Sequence, residues 1–402
     1  MSDNKISILF VDDQPEILQG LKRMTRVMRK QWDVSFALGA EKALEMLASE
    51  TYDVLVTDMR MPGVDGAMLL REVLNLYPSM VRIVLSGQYD VNNFIRSGWS
   101  AHQFLSKPSD TDMLKKIITQ TIAMRDLLGN SQVKELVTRA NALPTLPTLY
   151  IEIEQELRLP NASMKRVAEI ISQDIGLTTK VLQLVNSPIF GFTRNIETPE
   201  QAVVMLGADV IKSLALYLQA CATIPIPKGI SLERISKHAI AVGALARDIA
   251  KLEGKGSKVC GDAFLAGILQ NIGSLIILSG YPNEYEQITR EANESNLPVW
   301  KVEKNILGAT HAEIGAYLIA LWGLPASIAE SVAYHNSPSE CPDQNISFAL
   351  TAVHAANALE KEPGLGAAFV ENYFDFEYLE KLGLIDRLPA WQKLYQEKRG
   401  EV

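Results

Sequence analysis

Five short apolar runs lie between Ile6 and Pro108, with helical patterns between them. Ile6–Val11 stops at Asp12 and Asp13. Val34–Ala37 is a second, shorter run, and Asp53–Thr57 stops at Asp58. Val81–Leu85 ends at Ser86 and Gly87, and Gln103–Leu105 runs into Lys107 and Pro108. Short apolar runs bounded by polar, Gly or Pro residues are buried strands. Ile17, Leu18, Leu21, Met24 and Met28 recur at helical spacing after Pro15, a residue the first turn of a helix tolerates. Glu41–Leu47 and Ala67–Leu76 also read as helices. This alternation dictates an α/β unit, a doubly wound sheet of five parallel strands. Such sheets bind ligands at the carboxyl ends of their strands.

Those ends carry a coherent set: Asp12, Asp13, Asp58, Ser86 and Lys107. Asp58 lies in the stretch Thr57–Gly66, whose turn residues are Pro62, Gly63 and Gly66. Three carboxylates at one sheet edge repel one another and call for a cation. Oxygen-only ligation with room for waters suits Mg²⁺. A hydroxyl from Ser86 and a positive charge from Lys107 suit a phosphoryl group, and a carboxylate such as Asp58 can accept one.

Residues 5–125 resemble the receiver domain of two-component response regulators, a flavodoxin-like fold. The resemblance implies that Asp58 is the phosphoacceptor. It implies that Asp12, Asp13, Asp58 and the backbone carbonyl of Arg60 hold Mg²⁺. Ser86 and Lys107 would grip the phosphoryl oxygens, and Phe104 would be the aromatic switch. A sensor histidine kinase or phosphotransfer protein is the implied donor, and a downstream signalling protein the implied target.

The receiver is expected over 1–125 and a helical linker over 126–142. Leu114, Ile117, Ile118, Thr121, Ile122 and Met124 share helical spacing. Gly129-Asn130-Ser131 then interrupts the pattern, and Gln132–Asn141 continues it. The apolar stripe either covers the sheet or extends to a partner subunit, so a homodimer through this helix stays open.

From Leu143 onward 3.6-residue periodicity replaces strand patterns, and an all-α domain is expected over 143–402, its core about 143–340. One of its helices is expected to run unbroken over 262–279. LPTLP (143–147), ISQDIGLTTKVLQLVNSPIFG (171–191), AVVMLGADVIKSL (202–214), GILQNIG (267–273) and HAEIGAYLIALWGLP (311–325) resemble the HDOD domain, a helical relative of the HD-type metal phosphohydrolases. Carried over by that resemblance, His238 takes the first ligand position and Gln270-Asn271 the His-Asp doublet. His311 and His335 take later histidine positions, Asn336 an adjacent one, and Asn357 lies near the terminal Asp. Ser274 stands where cyclic-di-GMP phosphodiesterases carry a lysine.

Helical spacing turns these side chains inward: His238 shares a stripe with Val242, Leu245 and Ile249, and Asn271 with Phe264, Ile268 and Leu275. A hydrolytic metal pair carries about four positive charges that bridging carboxylates offset. Each carboxylate of the motif is an amide here, and Gln270 cannot replace an imidazole ligand. The helical domain is therefore expected to be catalytically degenerate, with no metal or cofactor, and to serve as a protein-binding output; the family resemblance implies a kinase or a cyclic-di-GMP phosphodiesterase as its target. The alternative is a cyclic-dinucleotide receptor or a residual metal-dependent phosphodiesterase, although Gln270–Leu278 carries no basic residue. His102 and His354 carry no expectation beyond core packing.

With 402 residues the chain has room for two or three cores, and 47% apolar with 21% charged residues is ordinary for globular domains. A net charge of -8 disfavours a DNA-binding output. Cys221, Cys260 and Cys341 are widely spaced and lack CxxC pairing, which fits reduced thiols. Early charge argues against a signal peptide, and no apolar run is expected to span a bilayer. A soluble, cytoplasmic protein away from membranes is the expectation.

Overall fold

A computed structural model describes residues 5–77, 80–86, 103–106, 118, 133, 136, 144, 146–192, 194–227, 230–295, 297–342, 347–360 and 373–399. The chain forms two compact units, one built on residues up to 138 and the other on residues from 139 onward. Most of the linker helix, His102, Lys107 and Pro108 lie outside the described residues, and so do the side chains of Ser86 and Phe104.

The first unit alternates β1 (Ile6–Asp12), α1 (Pro15–Thr25), β2 (Trp32–Leu38), α2 (Ala40–Ser49), β3 (Val54–Asp58), α3 (Gly66–Leu76), β4 (Val81–Ser86) and β5 (Gln103–Ser106). Four parallel pairings join the strands in the order β2-β1-β3-β4-β5. The central strands are buried on both faces, as their unbroken apolar runs require: Ile8, Leu9, Phe10, Leu55 and Val56 are fully enclosed. On one face Leu9, Leu55 and Val84 pack with Ala43 and Leu47 of α2 and Leu69, Leu70 and Val73 of α3. The helix expected to reach Met28 ends at Thr25, and a 3₁₀ turn over Arg26–Met28 completes it.

In the second unit the described elements are all helical. They are α4 (Thr148–Arg158), α5 (Met164–Ser172), α6 (Ile175–Val185), α7 (Pro199–Leu206), α8 (Ala208–Thr223), α9 (Leu232–Leu252), α10 (Ser257–Leu269), α11 (Ile272–Gly280), α12 (Pro282–Ser295), α13 (Val299–Leu307), α14 (His311–Leu321), α15 (Ala326–Ala333), α16 (Phe348–Glu360), α17 (Phe376–Lys381) and α18 (Leu388–Arg399). The long α9 packs against α10 and α16, which also pack on each other. Asp174 and Thr198 cap α6 and α7 through their side-chain oxygens, each satisfying an otherwise orphaned backbone N–H.

Two expectations need correction. The helix read over 262–279 is two helices, because Asn271 leaves helical geometry at φ -102, ψ 13. Periodicity cannot detect that break, since apolar residues continue on both sides of it. In addition, Ser257–Gly280 has the length and hydropathy of a membrane span (24 residues, mean hydropathy 1.7), yet 78% of its most apolar window is buried inside the unit. It is a core element that the bundle encloses.

Candidate functional sites

The sheet register builds the first site. Val11 pairs with Thr57, so Asp12 and Asp58 emerge side by side where β1 and β3 end. Asp12 is 1% and Asp58 8% exposed, and Asp13 is half-buried. One oxygen from each of the three lies within 4.8 Å of the others. Asp12 Oδ1 also accepts the Gln14 backbone N–H at 2.9 Å. Asp13 Oδ1 is buried with no hydrogen-bond partner. A buried carboxylate oxygen without a donor, among two more carboxylates, fits an oxygen-seeking cation. Arg60 is exposed in the loop directly after β3. Ser86 ends β4, one residue beyond the Asp58–Leu85 pairing, and Phe104 pairs with Val84 in β5.

That loop is held tightly against α3. Asp65 caps α3 by accepting the Met68 N–H, and the Gly66 N–H donates to the Met59 carbonyl at 2.9 Å. A Cβ on Gly66 would lie 2.1 Å from the Asp58 carbonyl oxygen and 2.9 Å from Met59 Cα. Both are backbone atoms, so Gly66→Ala must displace the loop bearing Asp58. Displacements near 1 Å cost catalysis about 10²-fold. Phosphoryl uptake from acetyl phosphate, followed by mass spectrometry, is expected to slow by about that factor while the chain stays folded by circular dichroism.

The second site lies in the helical unit. Gln270, His311, His335 and Asn357 are fully buried, while His238, Asn271 and Asn336 are half-buried. A capping box starts α14: Thr310 N–H donates to Glu313, and the Glu313 N–H donates to Thr310 Oγ1. His311 is thereby set at the first helical position. A Cβ on Gly273 would lie 2.0 Å from the His311 carbonyl oxygen, so only glycine lets α11 approach α14 this closely. His311 and His335 rings stand 5.4 Å apart, centroid to centroid. Asn336 Nδ2 lies 3.4 Å from His311 Nε2, and Asn357 Nδ2 lies 3.5 Å from Asn336 Oδ1.

Sequence reasoning passed over one member of this cluster. Glu303 of α13 is 1% exposed, and its Oε2 accepts both the His311 backbone N–H at 2.8 Å and His311 Nδ1–H at 2.6 Å. Its neighbours Lys301, Lys304 and Asn305 give it the pattern of a solvated face, so no local signal marks it. Burial, and then the Glu303 charge, push the nearby Tyr285 hydroxyl above its ordinary range.

His354, expected only to pack, fixes the cluster from behind. The Asp375 N–H donates to His354 Nε2 at 2.9 Å, so the ring's proton is on Nδ1, which donates to the His335 carbonyl at 2.8 Å. His335 Nδ1 in turn donates to the Val332 carbonyl at 2.8 Å. Burial opposes the charge on Asp375, but donors from Ser339 and Tyr378 outweigh it and hold its carboxyl below the usual range.

These two units match two families. Residues 8–119 match the response regulator receiver domain and residues 143–338 the HDOD domain. An uncharacterized protein of Treponema pallidum is 26% identical over 57% of this chain and 45% of its own length. The hydrogenase transcriptional regulatory protein HoxA of Cupriavidus necator is 30% identical over 43% of this chain and 38% of its own. The chain thus spans less than half the length of either relative. A crystal structure of an HDOD domain protein from Geobacter sulfurreducens superposes with a TM-score of 0.50 at 22% identity, covering 66% of this chain and 99% of that one. That likeness concerns fold alone. The chain is a signalling protein of the response regulator class, a receiver domain followed by an HDOD domain. Receiver domains bind Mg²⁺ at their phosphorylation site and interact with histidine kinases or phosphotransfer proteins.

Proposed function

We propose that this chain is a phosphorylation-controlled regulator whose helical unit acts by binding another signalling protein. The observation that carries the reading is the triad of Asp12, Asp13 and Asp58, with its partnerless buried oxygen on Asp13. Asp12, Asp13, Asp58 and the Arg60 carbonyl would hold Mg²⁺, which supplies charge neutralisation for phosphoryl oxygens when bound. The Asp58 carboxylate attacks the phosphorus of a phosphohistidine. A P–O bond forms as the P–N bond breaks, and the donor imidazole keeps the electron pair. Ser86 and Lys107 receive the phosphoryl oxygens, and Phe104 follows Ser86. A shift between two states differing by a few kcal/mol suffices to pass the signal.

The helical unit is a poor hydrolase on chemical grounds. Gln270 and Asn271 supply neither an imidazole nor a carboxylate, so a metal pair and its activated water lack their bridging charge. A regulatory contact with a kinase or an active cyclic-di-GMP phosphodiesterase fits a cytoplasmic output of this kind. The test is an affinity capture with full-length chain treated with beryllofluoride and Mg²⁺, against Asp58→Asn treated alike. A kinase or phosphodiesterase is expected to be retained differently by the two. Equal retention of every captured protein would remove control by phosphorylation, and manganese-dependent hydrolysis of cyclic-di-GMP by the pure chain would favour the enzymatic alternative.

A further inference from the structure

The end of α1 carries a charge pattern that phosphoryl transfer does not use. Lys22, Arg23, Arg26, Arg29 and Lys30 fall within nine residues, and no acid occurs between Glu16 and Asp33. All five are exposed along the last turn of α1 and the turns that follow it, and none is ion-paired among the described residues. Removing them from the chain's net charge of -8 leaves -13 on the remainder. Lys22 and Arg23 stand four and three residues before Arg26, spacings at which like charges destabilise a helix. Val27 lies among them with 81% of its surface exposed. The chain leaves Asp12 at the carboxyl end of β1, and α1 returns it to Trp32, which pairs with Ile6 at the amino end. The basic patch is therefore at the pole of the sheet opposite the aspartate triad, and a partner seated there does not cover Asp58.

The helical unit offers the complement. Helix α12 carries Glu284, Glu286, Glu291 and Glu294 against a single base, Arg290. Glu286 and Glu294 are exposed, and Glu284 and Glu291 are half-buried. Glu291 accepts the Gln287 side chain at 2.8 Å, but none of the four is ion-paired among the described residues. The last turn holds no base, so Glu294 faces the negative end of the helix dipole without compensation. Directly after α12, Leu297 and Val299 are 44% and 47% exposed. Each face thus combines charges of one sign with exposed apolar surface, and the signs are opposite.

We propose that the basic end of α1 docks on α12 and the Leu297–Val299 turn of a second copy of this chain. Val27 meets Leu297 and Val299, and the opposite charges surround them, the division of an interface into apolar centre and polar rim. An extended polyanion would also lie against parts of the remaining negative surface, whereas α12 is a local match. Each copy carries one basic and one acidic face, so the contact is heterologous, and twofold closure lets a pair form it twice. Faces of one or two helical turns bury less than about 1,200 Å², the size of weak and transient contacts. This inference is independent of the phosphorylation reading.

The test is sedimentation velocity of the full-length chain over a series of micromolar concentrations. In about 50 mM salt the mass is expected to rise above the monomer with concentration, and in about 1 M salt, where screening acts within about 3 Å, to return to it. Arg23→Glu with Arg26→Glu, and separately Glu291→Lys with Glu294→Lys, are each expected to weaken association more than about tenfold. Unchanged phosphoryl uptake from acetyl phosphate checks the first variant's fold, and circular dichroism the second's. An equal mixture of the two variants is expected to associate again, because one retains α12 and the other the basic patch. A monomeric unaltered chain in low salt, assembly that survives 1 M salt or either double variant, or a mixture that stays monomeric would each overturn the proposal. A monomer that binds phosphatidylglycerol vesicles and loses them with Arg23→Glu and Arg26→Glu would overturn it too, giving the patch to a lipid surface.

Discussion

Acetyl phosphate and Mg²⁺ are expected to add one phosphoryl group to the unaltered chain, and none to Asp58→Asn. Intact mass spectrometry reads the difference directly. The asparagine preserves volume and hydrogen-bonding shape but removes the nucleophilic charge, so the effect is all-or-none. Asp12 and Asp13 provide an internal comparison. If the phosphoryl group moved to either neighbour in Asp58→Asn, the triad would be a cluster of equivalent acceptors. The geometry argues otherwise, because Asp12 Oδ1 already accepts the Gln14 N–H and Asp58 alone opens the loop braced by Gly66.

Trp391→Ala is the substitution expected to cost the helical unit most. Trp391 is fully buried, and its Nε1–H donates to Glu253 Oε1 at 2.8 Å. Arg387 grips the same carboxylate through Nε at 2.9 Å and through its terminal nitrogen at 2.8 Å, and Lys398 pairs with Asp248 one turn earlier on α9. Truncating a buried Trp to Ala costs about 3–5 kcal/mol. Domains have only about 5–15 kcal/mol in total. Thermal unfolding by circular dichroism should show a drop of about 10 °C, at 2–4 °C per kcal/mol for a unit of this size. Trp391→Phe, which keeps most of the ring and loses the charge-assisted bond, is expected to cost about 1.5–3 kcal/mol. An unchanged melting temperature in Trp391→Ala would mean that α18 contributes nothing to the fold.

The receiver site was legible in the sequence because strand ends are local features. Asp12 and Asp58 each follow an unbroken apolar run, and a parallel sheet has no choice but to align those ends. The helical cluster was legible only in part. His311, His335 and Asn357 sit on apolar stripes, and the structure buries all three. His238 and Asn271 were expected inside and are half-buried, because a stripe gives the side a residue faces and not its depth. Glu303 was invisible for a different reason. Lys301, Lys304 and Asn305 surround it, and its local pattern reads as a solvated face until His311 arrives from eight residues away to take its charge. The break at Gln270-Asn271 left no mark in the pattern because apolar residues continue on both sides of Asn271, where the backbone leaves helical geometry.

The HDOD match stops at 338, yet the hydrogen bonds that seat His335 do not. His354 and Asp375 supply them from beyond that limit, and Tyr378 adds a bond of 2.7 Å to Thr351. Sequence families mark what evolution retains in common, whereas autonomy is decided by who satisfies whose polar groups. A fragment trimmed to residues 143–338 would expose the apolar flanks of α9 and α10 that α16 covers and strip His335 of its brace, so its behaviour would report on the amputation rather than on the domain.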